Sequence, residues 1–386
     1  MRILVLGGDG YLGWPAAMYF SVRGHEVHAV DNYFRRRAHR SAGTDSLTPI
    51  LDALPPRAEA WRQVTGYRVG VTEGDLCDWS LVQRVFLEFR PEAVLHLGQV
   101  ASAPYSVVGR DHAVFTLYNN LTATLNVLWA IRDLAPEAHL VKVGSLSALG
   151  TPNVDVEEGL LPVRHEGRED RLPFPARPTS WYHAAEAHDE ANVRLACETW
   201  GLRATVLRQG TVYGVDTEET RIDRRLLTRF DYDGVFGTVL NRFCVQAVIG
   251  HPLTVYGRGG QTRGFLNLVD ALRGYELAVR STPEAGALRT FNQFTELFSV
   301  NDLAELVRRA GEGYGLEVRV EHLENPRVEA EEHDYGAKHA GLLDAGLDPH
   351  YLSEPFLHSV FARVEEFRDR VVTQAILPRV RWRPAR

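Results

Sequence analysis

Six short apolar runs alternate with longer amphipathic segments over the first 210 residues. The runs are rich in Val, Ile and Leu and lack a strict polar alternation, which is typical of parallel strands that are buried on both faces. They lie at residues 2–7, 25–31, 67–75, 92–98, 139–145 and 203–210. Helical patterns fill the intervals at 11–23, 46–64, 78–89, 113–134 and 181–200. This alternation predicts an α/β fold with a Rossmann-type, doubly wound parallel sheet.

The pattern changes after Tyr213, where Gly-rich loops and long polar connections become frequent. Further helical patterns lie at 236–250, 300–311 and 354–372. A chain of 386 residues can form one large domain or two ordinary ones. We therefore predict that residues 1–213 form a dinucleotide-binding domain and that 214–386 form mainly a smaller substrate-binding domain. Some of the later segments are expected to return to the sheet.

Composition excludes several classes of function. A net charge of −7 gives no reason to expect nucleic-acid binding, which needs concentrated positive charge. No apolar run approaches the ~20 residues that span a bilayer, and the amino terminus does not resemble a secretory signal. The three cysteines are far apart and no Cys/His cluster has metal-ligand spacing, so we expect no metal and a cytoplasmic protein with reduced thiols.

Three glycines follow the first apolar run with the spacing G-x-x-G-x-x-G. Gly7 permits a tight turn, Gly10 allows the backbone to approach a pyrophosphate, and Gly13 allows the helix to pack on the strand. The phosphates would lie at a helix amino terminus, where free N–H groups favour anions. The loop predicts a dinucleotide site, although glycines at this spacing also serve in ordinary turns.

The residues after the second and third runs address the choice of dinucleotide. Asp31 ends the second run, where its carboxylate would bind the adenosine ribose hydroxyls and repel a 2′-phosphate, so NAD is favoured over NADP. Arg35, Arg36 and Arg37 are the opposing signal: they could hold such a phosphate, or form a solvated face or contact the pyrophosphate. Asp75 and Leu76 would lie at the adenine, with Asp75 equally well explained as a loop cap.

Long, unusual motifs extend the argument to nearly the whole chain, from Gly7 to about Trp382. They are GGDGYLGW (7–14), SAPYS (102–106), GTPN (150–153), NRFCVQAVIGHPLTVYGRGGQTRG (241–264), FNQFTE (291–296) and NPRVEAEEHDYGAKH (325–339). On these motifs the chain resembles the extended short-chain dehydrogenase/reductase family, also called NAD-dependent epimerase/dehydratases. Within it the chain is similar to the UDP-sulfoquinovose synthase family.

The resemblance implies a chemistry and a set of site residues. In that family NAD oxidises the glucose of UDP-glucose at C4, water is eliminated between C5 and C6, sulfite adds at C6, and C4 is reduced again. The implied cofactor-binding residues are Gly7, Gly10, Gly13, Asp31, Asn32, Arg35, Asp75, Leu76 and Gln99. The implied substrate-binding residues are Asn241, Arg242, Phe243, Val255, Gln261, Arg263, Arg327 and Tyr105. Arginine suits a diphosphate because its planar fork donates two parallel hydrogen bonds.

Several of these residues have a purely structural alternative. Gln99 and Tyr105 could belong to the core, and Arg327 or Arg263 could pair with the nearby glutamates of 329–332. The family also suggests a homodimer formed through the helical segments 113–134 and 181–200.

The reacting end departs from the family pattern. Tyr182 and Ser145 stand where the family has its catalytic Tyr and a Thr, but the Lys expected four residues after the Tyr is Glu186. That Lys lowers the Tyr pKa, whereas a carboxylate on the same helix face would raise it. Ala148 replaces a family Glu, and Ala101 replaces a family Arg. Glu186 could bind ribose hydroxyls and act as an acid or base, or it could be a helix-surface Glu paired with an Arg. The neighbouring His183 is a His in the family too, which favours a structural role over a new base.

These changes lie at the reacting end while the binding end is retained. The sequence therefore predicts an NAD-dependent enzyme that modifies a UDP-hexose by C4 oxidation, related to UDP-sulfoquinovose synthase but with diverged chemistry, in which Tyr182, Ser145 and Glu186 are the candidate catalytic residues. The alternatives are sulfoquinovose synthesis by a rearranged site and a protein that binds NAD and a UDP-sugar without turnover.

Overall fold

The centre of the fold is a parallel sheet of seven strands. The computed structural model describes residues 1–329, 332–333 (backbone), 336–378 and 380–382. Within this part of the chain the strands are β1 (Arg2–Leu6), β2 (Glu26–Asp31), β3 (Val69–Glu73), β4 (Ala93–His96), β5 (His139–Ser145), β6 (Leu160–His165), β7 (Arg168–Pro173), β8 (Arg203–Gln209), β9 (Thr211–Tyr213), β10 (Leu253–Tyr256), β11 (Gly260–Asn267), β12 (Leu288–Gln293), β13 (Glu296–Ser299), β14 (Val320–Leu323) and β15 (Glu332–His333). The large sheet has the order β12-β8-β5-β4-β1-β2-β3, and each neighbouring pair is parallel.

Helices cover both faces of this sheet. They are α1 (Gly13–Val22), α2 (Phe34–Ser41), α3 (Leu54–Thr65), α4 (Trp79–Phe89), α5 (Ala103–Ser106), α6 (Arg110–Leu134), α7 (Trp181–Trp200), α8 (Val239–Ile249), α9 (Leu268–Arg280), α10 (Val300–Tyr314), α11 (Ala340–Asp344), α12 (Glu354–Glu366) and α13 (Thr373–Ile376). One apolar cluster joins β1, α1, α3 and α9, and another joins β4, α4, α6 and α7 on the opposite face. The predicted doubly wound α/β fold is confirmed.

The strand order changes direction between β1 and β4. Leu6 of β1 pairs with Val30 of β2 on one side and with His96 of β4 on the other. The carboxyl ends of β1, β2, β4, β5 and β8 therefore meet at one edge, where ligands bind in open α/β sheets. Ser145 at the end of β5 is level with Gln209 at the end of β8.

The predicted helix over 46–64 is wrong at its first half. Helix α3 begins at Leu54 and has prolines in its first turn, where a missing N–H is tolerated. The residues before it are held elsewhere: the Thr48 hydroxyl donates to the Thr228 carbonyl, and the Phe230 N–H donates to the Ser46 hydroxyl. Helix α2 and the antiparallel hairpin of β6 and β7 were not predicted.

The later part of the chain builds a second layer and also contributes to the large sheet. Strand β12 pairs with β8 at one end of the large sheet. Helices α8, α10 and α12 pack on one another around a separate apolar cluster that includes Phe243, Val255 and Phe361. The division of the chain at residue 213 stays a prediction. None of the helices in the described part of the chain is long and apolar enough to cross a bilayer.

Candidate active site

A cavity of about 440 Å³ lies along the carboxyl ends of the sheet strands. At one end it reaches the Gly-rich loop, and at the other it reaches residues of β11 and of the segment before β15. Its lining includes every predicted cofactor-binding residue, namely Gly7, Gly10, Gly13, Asp31, Asn32, Arg35, Asp75, Leu76 and Gln99. It also includes Tyr182, Ser145 and Glu186.

The glycine loop is built for close approach. Gly7 has φ +89°, and a Cβ there would lie 2.7 Å from the Leu97 carbonyl carbon. A Cβ on Gly13 would lie 1.9 Å from the Gly7 carbonyl oxygen, so only glycine allows α1 to begin against the loop. Free N–H groups at the start of α1 and the adjacent cavity fit a dinucleotide pyrophosphate.

Asp31 sits beside this loop at the end of β2. Its two carboxylate oxygens accept the N–H groups of Asp9 at 2.9 Å and of Tyr33 at 2.6 Å. Burial and the charge of Asp9 raise the pKa of Asp31 to about 6. A carboxylate has about four acceptor positions, so Asp31 retains capacity for ribose hydroxyls.

The three arginines after β2 point in different directions. Arg36 makes a bidentate pair with Asp9 at 2.6 and 2.7 Å, and Arg37 donates to the Asn32 carbonyl. Arg35 remains at the cavity, where it pairs with Asp231 at 3.2 Å and its guanidinium lies 4.2 Å from the centroid of the Phe236 ring. The arginines therefore do not form a joint site for a 2′-phosphate.

Asp75 combines its two suggested roles. One oxygen accepts the Cys77 N–H at 2.9 Å, as a loop cap would, and the other accepts the Asn32 amide at 3.0 Å. Both Asp75 and Asn32 still line the cavity next to Leu76.

The predicted substrate end is brought together in part. Asn241, Arg242, Gln261, Arg263 and Arg327 line the cavity. The three arginines thus converge from α8, β11 and the segment after Asn325, although these elements are far apart in sequence.

All three arginines already have partners, and Arg242 donates to the Thr254 carbonyl at 3.5 Å. Arg263 forms a close pair with Glu329, a residue of the glutamate cluster, and Arg327 lies 5.7 Å from the centroid of the Trp382 ring. Both Glu329 and Trp382 line the cavity as well. Four residues in the middle of the NPRVEAEEHDYGAKH motif, at 330–331 and 334–335, lie outside the described residues.

Three predicted substrate contacts are not at the cavity surface. Phe243 and Val255 are fully buried in the apolar cluster of α8, α10 and α12. Tyr105 packs instead against the rings of Phe34, at 5.4 Å, and His112, at 4.7 Å. Phe243 on α8 and Val255 on β10 are therefore packing residues, and Tyr105 on α5 belongs to a group of aromatic rings beside the cavity.

Tyr182 and Ser145 lie together at the middle of the cavity. Ser145 ends β5, and Tyr182 lies in the first turn of α7, whose start Ser180 caps by accepting the His183 N–H at 3.2 Å. Burial and the charge of Glu186 raise the pKa of Tyr182 well above its ordinary value, while the Ser145 hydrogen bond and Arg35 act in the opposite direction.

Glu186 is neither exposed nor paired with an arginine. Its Oε2 atom lies 3.0 Å from the ammonium nitrogen of Lys142 on β5, and the two side chains are 2% and 1% exposed. The same ammonium lies 3.5 Å from Asp189 Oδ2, one turn farther along α7. Burial raises the pKa of Glu186 to about 7, although the charge of Lys142 acts to lower it.

Backbone space makes this arrangement possible. Lys142 and Gly144 lie on the same face of β5 because side chains alternate along a strand. A Cβ on Gly144 would lie 3.3 Å from Glu186 Oε2, so the absent side chain leaves room for the carboxylate.

The remaining departures from the family pattern are small residues near the same centre. Ala101 lines the cavity, whereas Ala148 is 5% exposed in the short turn after β5.

His183 is buried, and burial together with Arg327 and Arg263 lowers its pKa to about 3, so it is neutral at pH 7. A neutral buried His that contacts Thr179 at 3.3 Å fits the structural interpretation.

Sequence reasoning missed Lys142 and Asp189 as parts of the site. A signal for Lys142 was present, because it is one of only two lysines and interrupts an otherwise apolar strand pattern. Asp189 gave none, since a charged residue at that helix position is usually solvated. Its contacts with Gln99 and Thr124 depend on the packing of α6 against α7.

The fold and the site define a class of protein: a dinucleotide-binding protein of the short-chain dehydrogenase type, with a polar second site next to its Tyr. Comparison with known proteins makes the class more specific. Residues 3–292 match the model of the NAD dependent epimerase/dehydratase family. The chain is 49% identical over 382 residues to the chloroplastic UDP-sulfoquinovose synthase of Spinacia oleracea, covering 99% of this chain and 79% of that one.

Two further matches agree. The UDP-sulfoquinovose synthase of Sulfolobus acidocaldarius is 39% identical over 386 residues, with 99% and 98% of the two chains covered. The structure of Thermus thermophilus UDP-glucose 4-epimerase in complex with NAD superposes with a TM-score of 0.66 at 25% identity, covering 96% of this chain and 100% of that one. The chain belongs to the NAD dependent epimerase/dehydratase family. The prediction of NAD as the cofactor and the predicted relation to UDP-sulfoquinovose synthase are confirmed.

Proposed function

We propose that the protein oxidises C4 of a UDP-hexose such as UDP-glucose and then alters the sugar by further chemistry. One observation supports this most directly. A single cavity is lined by the dinucleotide loop, by the Tyr182 and Ser145 pair, and by the convergent arginines Arg242, Arg263 and Arg327. Such a cavity suits two ligands whose reacting ends meet at the Tyr.

The residues at the first end fit NAD. Gly7 and Gly13 allow tight backbone contacts that a Cβ would break, Gly10 lines the cavity beside them, and Asp31 offers a carboxylate to ribose hydroxyls. NAD, when bound, supplies the hydride acceptor of the reaction. The protein's own part is to bind, to orient and to move the hydroxyl proton.

The residues at the second end suit a nucleoside diphosphate sugar. Arginine guanidinium groups bind phosphate oxygens in pairs. Glu329 now holds Arg263, so we propose that substrate phosphate takes the place of this carboxylate. Tyr182 and Ser145 would then contact the sugar 4-hydroxyl.

We propose that the steps after oxidation differ from those of the sulfoquinovose synthases. Three side chains to which the resemblance assigns a role in the chemistry are replaced: the family Arg by Ala101, the family Glu by Ala148 and the family Lys by Glu186. Ala101 faces the cavity without a positive charge, and the buried Ala148 brings no acid for proton transfer at C5 and C6.

Sulfoquinovose synthesis by a rearranged site is the second candidate. One observation favours it: the ammonium group missing from the Tyr helix is supplied beside it by Lys142. The identity of 49% to the spinach protein over nearly the whole chain adds to it.

The test is incubation of the purified protein with NAD and UDP-glucose, with and without sulfite. Absorbance at 340 nm and product mass are followed. We expect a product that forms without sulfite, and a Tyr182→Phe variant that binds both ligands but turns over about 10²- to 10⁴-fold more slowly. A product that requires sulfite and carries a sulfonate would favour the second candidate. Tight binding of both ligands with no product and no absorbance change would overturn catalysis on this substrate.

We also propose a homodimer formed through α6 and α7. Both helices carry large apolar side chains that are 41% to 59% exposed, an unusual density for a free surface. They are Val114, Tyr118, Leu125 and Trp129 on α6 and Trp181 and Leu195 on α7. Two copies of this pair of helices would form a four-helix bundle.

We further propose that the protein acts in the cytoplasm. Cys77, Cys197 and Cys244 are all free thiols, which suits a reducing compartment. Cell fractionation with an antibody to the protein would test this assignment, and recovery in a membrane or exported fraction would contradict it.

A further inference from the structure

The side chain at position 186 has surroundings that a solvated helix glutamate would not need. Its carboxylate lies next to Gly144 and accepts a hydrogen bond from the Lys142 ammonium at 3.0 Å. Glu186 also lines the cavity. Tyr182 is one helical turn away on the same face of α7 and lines the same cavity. Glu186 therefore touches both a buried cation and the space in which the substrate reacts.

Glu186 accepts hydrogen bonds from fewer donors than its buried neighbour Asp189 does. Asp189 Oδ2 accepts from the Gln99 amide and from the Thr124 hydroxyl at 2.7 Å, and lies 3.5 Å from Lys142. These three groups favour the anion of Asp189 and oppose burial, which raises its pKa, whereas its other oxygen, Oδ1, is buried without a hydrogen-bond partner. For Glu186 the contacts show one donor, Lys142 itself.

The other charged and titratable groups facing this centre do not change the balance. On α7, Glu190 makes a bidentate pair with Arg208 of β8 at 2.6 and 2.9 Å. On β4, His96 is buried beside Lys142, and burial together with that charge lowers its pKa, so it is neutral. Arg35 acts on Tyr182 from the other side of the cavity. With Lys142, Glu186 and Asp189 all ionised, the centre carries one excess negative charge, which one proton removes.

We propose that Glu186 is the proton acceptor of the site, with Tyr182 as the relay to it and Lys142 as the residue that positions its carboxylate. The inference rests on the proposed C4 oxidation and assigns the fate of its proton. The C4 hydrogen leaves with its electron pair as hydride to the oxidised cofactor. The 4-hydroxyl proton passes to the Tyr182 oxygen while Tyr182 gives its own proton to Glu186, directly or through one bridging hydroxyl. Tyr182 ends neutral, Glu186 ends protonated, and reduction of C4 returns both.

This relay explains why the Tyr needs no neighbouring Lys. A phenolate next to an ionised carboxylate in a buried site is strongly disfavoured, and the pKa of Tyr182 is raised accordingly. A neutral phenol can still accept one proton and donate another. Burial raises the pKa of Glu186 and the charge of Lys142 acts to lower it, so that the carboxylate titrates near neutral pH, where a general base is most effective.

The first test is an infrared titration of the ligand-free protein, because it does not depend on turnover. The stretch of a protonated carboxyl should disappear with a midpoint near neutral pH in the parent and be missing in Glu186→Gln. Lys142→Met should move the midpoint to higher pH, because a cation is lost. Asp189→Asn should move it to lower pH, because an anion is lost, and it keeps the test available if Lys142→Met does not fold. Glu198→Gln, an exposed change on the same helix, should leave it unaltered.

The second test follows hydride transfer with NAD and UDP-glucose. Glu186→Gln should bind both ligands within about threefold of the parent but transfer hydride at least 10²-fold more slowly. The acid limb of the rate should move in the same directions as the infrared midpoints, up in Lys142→Met and down in Asp189→Asn. A purely structural role for these residues would leave the limb in place.

Three outcomes would overturn the assignment: an unchanged hydride-transfer rate in Glu186→Gln, no carboxyl band that depends on Glu186, or a phenolate absorbance of Tyr182 near neutral pH. If the parent transfers no hydride but the carboxyl band behaves as expected, the proposed substrate fails while the ionisation of Glu186 stands.

Discussion

Lys142 is shared between two buried carboxylates, Glu186 at 3.0 Å and Asp189 at 3.5 Å. Removing one member of a buried ion pair leaves the others uncompensated and costs about 3–5 kcal/mol. We therefore expect Lys142→Met to lower the free energy of unfolding by about this amount, as measured by urea denaturation. Lys338, the other lysine of the chain, pairs with Glu157 at an exposed site. Lys338→Met should leave the unfolding midpoint nearly unchanged, and equal losses in both variants would contradict the account.

Glu186 should also make stability depend on pH. Its pKa is raised from about 4.5 to about 7 by burial, so the folded protein holds this proton to higher pH than the unfolded chain does. The stabilisation from this group is complete below about pH 4.5 and is lost as pH rises through about 7. Relative to Glu186→Gln, the parent should lose unfolding free energy across this interval, measured by urea denaturation at several pH values. Parallel pH profiles of the two proteins would contradict the buried ionisation.

At the scale of elements, the junction of β1, the glycine loop and α1 depends on one missing side chain. A Cβ on Gly13 would lie 1.9 Å from the Gly7 carbonyl oxygen, so α1 must shift to admit it. We expect Gly13→Ala to weaken NAD binding at least tenfold, or about 1.4 kcal/mol, as measured by calorimetry. A Cβ on Gly109 would meet nothing within 4 Å, which makes Gly109→Ala the matched control. Unchanged NAD affinity in Gly13→Ala would contradict the site of the pyrophosphate.

Some elements of the fold could be predicted from the sequence and others could not. Strand runs and glycine spacing are local signals, so the large sheet, its edge and the cofactor end could all be predicted. The error over 46–53 arose because contacts with Thr228 and Phe230, far away in sequence, outweigh a local helical pattern. Likewise the 3.0 Å contact of Lys142 with Glu186 depends on how α7 packs over β5. The family resemblance marked position 186 as the place of an expected Lys, but only the packing of the structure shows that Lys142 is the partner of Glu186.

At the scale of the whole molecule, the exposed apolar residues of α6 and α7 should mediate self-association. The chain has a mass of 43.3 kDa, and we expect light scattering to report twice this mass. Leu125, 41% exposed on α6, should become a disruptive charge in Leu125→Glu and give the monomer mass. Leu87 on α4 is 57% exposed but lies outside the proposed interface, so Leu87→Glu should leave the dimer intact. A monomeric parent would refute this interface.

The most direct test of the account is transfer of the C4 hydrogen of the sugar to the cofactor. Oxidation at C4 moves this hydrogen to the nicotinamide as hydride, so UDP-glucose deuterated at C4 should transfer its deuterium to the bound NAD. The NAD-loaded protein is incubated with this substrate and quenched with acid, and the cofactor is analysed by mass spectrometry. We expect reduced cofactor that carries deuterium, formed about 10²- to 10⁴-fold more slowly in Tyr182→Phe. Recovery of unlabelled cofactor from a protein that binds both ligands would contradict C4 oxidation as its chemistry.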